Sequence, residues 1–129
     1  MVMPITEPIA EPVSGDEHDG HPCPDVRPAP APVVRTPATL AAAGDLLRAL
    51  AAPVRIAIVL QLLESSRCVH DLVDALQVTQ PLISQHLRVL KSAGVVEGTR
   101  QGREVVYSLV DDHLAHIVVD ALAHVEEDE

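Results

Sequence analysis

With 129 residues and a formal net charge of −10, the chain has room for one domain and little else. No apolar run approaches the roughly 20 residues a membrane span needs, and the N-terminus lacks the basic start and apolar stretch of a signal peptide. Two cysteines, Cys23 and Cys68, cannot build a disulfide framework, so a soluble, cytoplasmic protein is expected.

Nine of the eleven prolines fall in residues 1–37, together with six acids and only two arginines. Such a composition cannot form a core, so residues 1–36 are expected to be a disordered tail. Residues 37–129 then form the folded domain, long enough for one modest core. Within it, "PATLAAAGDLLRAL" from Pro37 is rich in Ala and Leu and predicts a helix. Pro53 suits the first turn of the next helix, "PVRIAIVLQLLES", which is apolar on nearly every side and predicts the buried centre. A short third helix follows in "VHDLVDAL". In "VTQPLISQHLRVLKSAG", Thr79 is a good N-cap, Pro81 falls in the first turn and Gly94 ends the helix. Leu82, Ile83, Leu87 and Leu90 supply its expected apolar face. After Gly94 the period changes to two: "VVEGTR" and "REVVYSL" flank Gln101-Gly102, which predicts a β-hairpin. Asp111 or Asp112 then caps a last helix reaching about residue 127. The fold class expected is mainly α with one hairpin.

The net charge argues against nucleic acid as a single number, but its distribution does not. Residues 1–36 carry −4, residues 37–78 carry −1 and residues 104–129 carry −8, whereas residues 79–103 carry +3. That strip holds Arg88, Lys91, Arg100 and Arg103 against Glu97 alone, an electrostatic footprint for DNA. Two consecutive short helices, the second with a polar outward face, are what a major-groove reader requires. Gln80, Ser84 and Gln85 are candidates for base contacts, and Arg88 and Lys91 for phosphate contacts. Arg100 and Arg103 on the hairpin suit the neighbouring backbone or minor groove.

The segments "LRALAAPVRIAIVLQLLE", "TQPLISQHLRVLKSAGVV" and "RQGREVVYSL" resemble the ArsR/SmtB family of winged-helix metal-sensing repressors. The resemblance covers residues 40 to 127. It implies a winged helix-turn-helix, a homodimer built by the first and last helices, and binding of double-stranded operator DNA in the metal-free state.

The last helix, "DDHLAHIVVDALAHVEEDE", carries His113, His116, Asp120, His124 and Glu127 at spacings of 3, 4, 4 and 3, which puts them on one face. Val and Leu at 114, 118, 122 and 125 form a separate apolar face. His113 and His124 are 11 residues apart, roughly 16 Å along a helix. Zinc takes its ligands at about 2 Å, so one helix cannot bring both to one ion, whereas two antiparallel copies can. Symmetry then generates two zinc sites per dimer, each tetrahedral if Asp111 and Glu127 supply the remaining ligands. The resemblance agrees: zinc-sensing members of the family carry D-x-H, ten residues, then H-x-x-E, matched here by Asp111, His113, His124 and Glu127. His116 and Asp120 fall outside that motif. Two imidazoles and two carboxylates suit zinc, with cobalt as a substitute; a nickel- or cobalt-responsive repressor is the alternative, to which His18 and His21 could add ligands.

A second cluster pairs Cys68 and Asp71 at the start of the third helix with His18, His21 and Cys23 in the tail, a possible second pair of metal sites. His70 stands where arsenic- and cadmium-sensing members have a second cysteine, which argues against thiophilic targets. A metal buffer or chaperone built on a helix-turn-helix scaffold is the rival of another class, and the basic strip weighs against it. A zinc hydrolase needs three ligands, an open coordination position and a general base in a pocket; the full four-ligand set and the absence of H-E-x-x-H weigh against it, and no enzyme is expected.

Overall fold

Thr36 opens the first helix, α1 (Pro37–Leu50): its hydroxyl accepts the Thr39 backbone N–H at 3.1 Å, and Pro37 presets the backbone of the first turn. A computed structural model describes residues 30–127 of the protein. Most of the expected tail, including His18, His21 and Cys23, lies outside the described residues, as do residues 128–129. Among the described residues, one compact unit begins at Arg35 and holds every helix and strand.

Helix α2 (Pro53–Glu64) starts on Pro53 and is the centre of the core: Ile58 and Val59 are fully buried and Leu62 nearly so. A two-residue strand, β1 (Arg67–Cys68), leads directly into α3 (Val69–Leu76). The turn after α3 places Gln77 in the left-handed region (φ 56°), where its N–H bonds Val73 O at 2.8 Å and its side-chain amide bonds Asp74 O at 2.9 Å. Helix α4 (Gln80–Ser92) follows at once, so α3 and α4 form the helix-turn-helix. It ends in a Schellman motif: Gly94 adopts φ +80°, Val95 N–H bonds Leu90 O at 2.9 Å and Gly94 N–H bonds Lys91 O at 3.0 Å. Strands β2 (Val96–Gln101) and β3 (Glu104–Leu109) make the wing, and α5 (His113–Glu126) closes the domain against α2. The architecture is mainly α with a hairpin, as the order of elements predicts, and is the winged helix-turn-helix that the family resemblance implies.

Four local expectations change. Thr79 occupies the N-cap position of α4 but makes no side-chain cap; its carbonyl instead accepts from Leu82 and Ile83 at 3.1 and 3.0 Å. Leu82 is 47% exposed, because adjacent Leu82 and Ile83 cannot both face inward and Ile83 takes the core. The hairpin loop is Gly102-Arg103 rather than Gln101-Gly102, since Gln101 pairs with Glu104. Only the first loop residue has positive φ (Gly102, 66°), the type II′ pattern that matches strand twist. The sheet has three strands, not two, in the order β1-β3-β2, with Arg67 opposite Tyr107 and Cys68 opposite Val106.

Candidate nucleic-acid interface and metal centre

Ile83, Leu87 and Leu90 anchor one side of α4 in the core and so turn its other side outward. Gln80, Gln85, Arg88 and Lys91 are exposed there, and Ser84 is half-buried at the edge. Arg100, on β2, and Arg103, in the hairpin loop, are also exposed. Gln80 and Arg103 line one cleft of about 430 Å³ with Cys68, His70, Glu104 and Tyr107, so the start of α4 and the wing tip form a continuous surface. Leu82 adds an exposed apolar side chain to the same part of α4, a feature its place in an apolar run concealed.

At the start of α5, Asp112 holds the N-cap position, but Asp111 supplies the side-chain bond. Asp111 Oδ1 accepts the His113 backbone N–H at 3.0 Å and lies 3.4 Å from His113 Nδ1, while Asp112 makes no side-chain cap. The carboxylate and imidazole therefore converge despite being two residues apart. His116, Asp120, His124 and Glu127 are all exposed along the helix. Among the described residues, no three His, Cys, Asp or Glu side chains come together to hold a metal ion within one chain. Beside this polar stripe runs an apolar groove of about 280 Å³ between α1 and α5, lined by Leu47, Leu50, Ile56, Ile117, Leu122 and Val125 among others. Leu47 is 51% and Val125 57% exposed, so the expected apolar face of α5 is buried at Leu114 and Val118 but open at its C-terminal end.

Cys68 and Asp71 meet in a capping box at the start of α3: the Asp71 carboxylate accepts the Cys68 N–H at 3.2 Å, and the Asp71 N–H points to the sulfur. That N–H favours the thiolate, but desolvation and the carboxylates of Glu104 and Asp71 outweigh it and hold the Cys68 thiol above its ordinary range. Their expected tail partners lie outside the described residues.

Residues 52–98 match the profile of the bacterial regulatory protein, arsR family. Over 133 aligned positions, covering 99% of this chain and 98% of the other, the chain is 62% identical to the HTH-type transcriptional repressor SmtB of Mycobacterium tuberculosis. It belongs to the ArsR family. This ArsR-family chain is therefore a transcriptional regulator and not an enzyme. It is also similar to the transcriptional regulator NmtR of M. tuberculosis, 44% identical over 80 residues that cover 62% of this chain and 67% of NmtR. The solution structure of apo-NmtR matches with a TM-score of 0.59 at 38% identity, over 79% of this chain and 87% of that one. A structure from Mycobacterium bovis, described as a homodimeric winged helix-turn-helix DNA-binding domain, matches with a TM-score of 0.61 at 30% identity, over 71% and 83% of the two chains. Likeness to SmtB-type repressors implies metal binding by this ArsR-family regulator. No single helix among the described residues is long and apolar enough to cross a membrane.

Proposed function

We propose that this regulator binds operator DNA as a metal-free homodimer and releases it when zinc is held between the last helices of the two chains. The observation that carries the proposal is the exposed donor stripe of α5 beside an uncovered apolar groove. A second copy seated on Leu47, Ile117 and Val125 covers that groove and brings α5 against its symmetry mate. Asp111 and His113 of one chain then face His124 and Glu127 of the partner subunit, an N2O2 set that fits zinc. Asp111 is already turned onto His113. When bound, the metal supplies coordinate bonds that join the two chains.

On the DNA side, Gln80, Ser84 and Gln85 read base edges, Arg88 and Lys91 hold phosphates, and Arg100 and Arg103 extend the contact from the wing. Metal and DNA oppose each other only through their different affinities for two dimer shapes. A regulator of operator DNA works where the chromosome is, in the cytoplasm. Cys68 and Asp71 satisfy each other in the capping box, which favours a structural role over a second metal site. The basic strip on α4 and the wing favours a repressor over a metal buffer.

The test is a zinc titration of the protein bound to a dye-labelled duplex, selected by the metal-free protein from a random-sequence library. Fluorescence anisotropy is expected to fall to that of free DNA and to recover on chelation. A metal-free protein that selects no duplex, or a complex indifferent to zinc, refutes the proposal.

A further inference from the structure

Arg55, the third residue of α2, reaches in two directions. Its Nε donates to Ala49 O, in the last turn of α1, at 2.6 Å, and its Nη1 lies 3.2 Å from His86 Nδ1 on α4. Both Arg55 and His86 are half-buried. Among the described residues, Arg55–His86 is the one hydrogen bond between side chains of two different helices, and it spans 31 positions. The remaining contact of α4 with the rest of the helices is apolar, through residues such as Leu50, Ile58, Val59, Ile83 and Leu87. Apolar packing holds a helix in place but is not directional, whereas hydrogen bonds require a distance and an angle.

The surroundings strengthen the case. Between α1 and α4 lies an open cleft of about 550 Å³, lined by Asp45, Arg48, Arg55, Arg88 and Ser92 among others, so the two helices are not packed together along that side. The Arg55 guanidinium spans the gap. Its planar fork can hold two acceptors at a fixed angle, which the single nitrogen of lysine cannot. A cation is also favoured at the C-terminal end of α1, where the carbonyls carry partial negative charge. The guanidinium can only donate, so His86 Nδ1 is the acceptor of this bond, and His86 stands next to Gln85, which is assigned above to base reading.

We propose that Arg55 is a positioning residue for DNA recognition: by tying His86 of α4 to the end of α1, it fixes the angle at which α4 is presented relative to the dimer contact. The inference rests on the proposal above that α1 contributes to the dimer face and α4 reads the operator. Leu47 and Leu50 of α1 line the apolar groove, so a tie at Ala49 links that face to the recognition helix.

The experiment uses the full chain, metal-free, with the duplex it selects from a random-sequence library. His86→Leu removes the acceptor and is expected to weaken binding to the selected duplex about tenfold, with affinity for a random duplex unchanged. His86→Gln, whose side-chain oxygen can accept from Arg55, keeps affinity within about threefold of the original. Arg55→Lys, which cannot hold both acceptors, also weakens binding to the selected duplex, and combined with His86→Leu it loses no more than the larger of the two single losses, since each breaks the same tie between Ala49 and His86. A second readout is spacing: inserting one base pair between half-sites penalises the original protein more than His86→Leu, whose recognition helices are no longer fixed.

Unchanged affinity and unchanged spacing preference in His86→Leu overturn the proposal. So do losses that multiply in the double variant, or failure of His86→Gln to restore binding, which would place His86 directly on DNA. A wild-type protein that selects no duplex instead overturns the operator-binding proposal on which this one depends.

Discussion

If each metal site is shared between chains, two defective proteins should repair one another. His113→Ala removes one ligand from each of the two symmetry-related sites of a homodimer, and so does His124→Ala. Apparent zinc affinities at four-ligand sites are about 10–16 kcal/mol, or about 2.5–4 kcal/mol per ligand, so each homodimeric variant should bind zinc roughly two to three orders of magnitude more weakly. A mixed dimer of one chain of each kind behaves differently. One of its sites lacks both imidazoles, while the other keeps His113 from one chain and His124 from the other. The two histidines stand at opposite ends of α5, roughly 16 Å apart, so no rearrangement within one helix can substitute for this exchange. With differently tagged chains purified as a heterodimer and zinc measured by competition with a chromogenic chelator, the tight-binding stoichiometries per dimer should be two for the original protein, none for either homodimeric variant and one for the mixed dimer. A mixed dimer that binds no tight zinc refutes the shared-site geometry, and so does a homodimeric variant that still binds two.

Gln85→Ala should weaken binding to the selected duplex by about 1–3 kcal/mol and leave random DNA nearly unaffected, whereas Arg103→Ala should reduce the slope of log affinity against log salt by about one; anisotropy titrations on both duplexes over a salt series separate the two. A protein lacking residues 1–36 should sediment as a dimer and bind the duplex as the full chain does, because the eight elements among the described residues all begin at or after Pro37. Ile83→Ala, at a fully buried site between the recognition helix and the core, should cost about 2–5 kcal/mol in urea denaturation. Cys68→Ser should keep zinc-driven release, and because the Cys68 thiol is held above its ordinary range, alkylation of its peptide, followed by mass spectrometry, should be slow at neutral pH and accelerate only as the solution becomes alkaline.

Helices bounded by strong local chemistry were legible in the sequence. Pro53 and Pro81 fall in first turns, Gly94 takes the left-handed position that stops α4, and α3 occupies the "VHDLVDAL" expected of it. The period-two segments on either side of Gly102 pair as a hairpin. Strand β1 escaped because two residues contain no repeat of an alternation; only its partner strand reveals it. Leu82 was misplaced because two adjacent leucine-like residues fit an apolar face equally well on paper, and the core accepts one of them. The choice between Asp111 and Asp112 depended on side-chain rotation, to which spacing is blind. Arg55 and His86, 31 positions apart, belong to no local pattern at all, so their contact exists only once three helices are folded together.

Strand β3 lies between β1 and β2, so the base of the wing has hydrogen-bonded neighbours on both edges, where a simple hairpin would have one. Backbone amides of Val106 and Tyr107 should accordingly exchange with deuterium slowly. Ordering a free backbone costs about 1–2 kcal/mol per residue at the moment of binding. A wing anchored through Arg67 and Cys68 has already lost that freedom during folding, so under the proposed DNA contact Arg100 would meet the duplex from a strand already in place, and little of its attraction would be spent on straightening the strands that carry it.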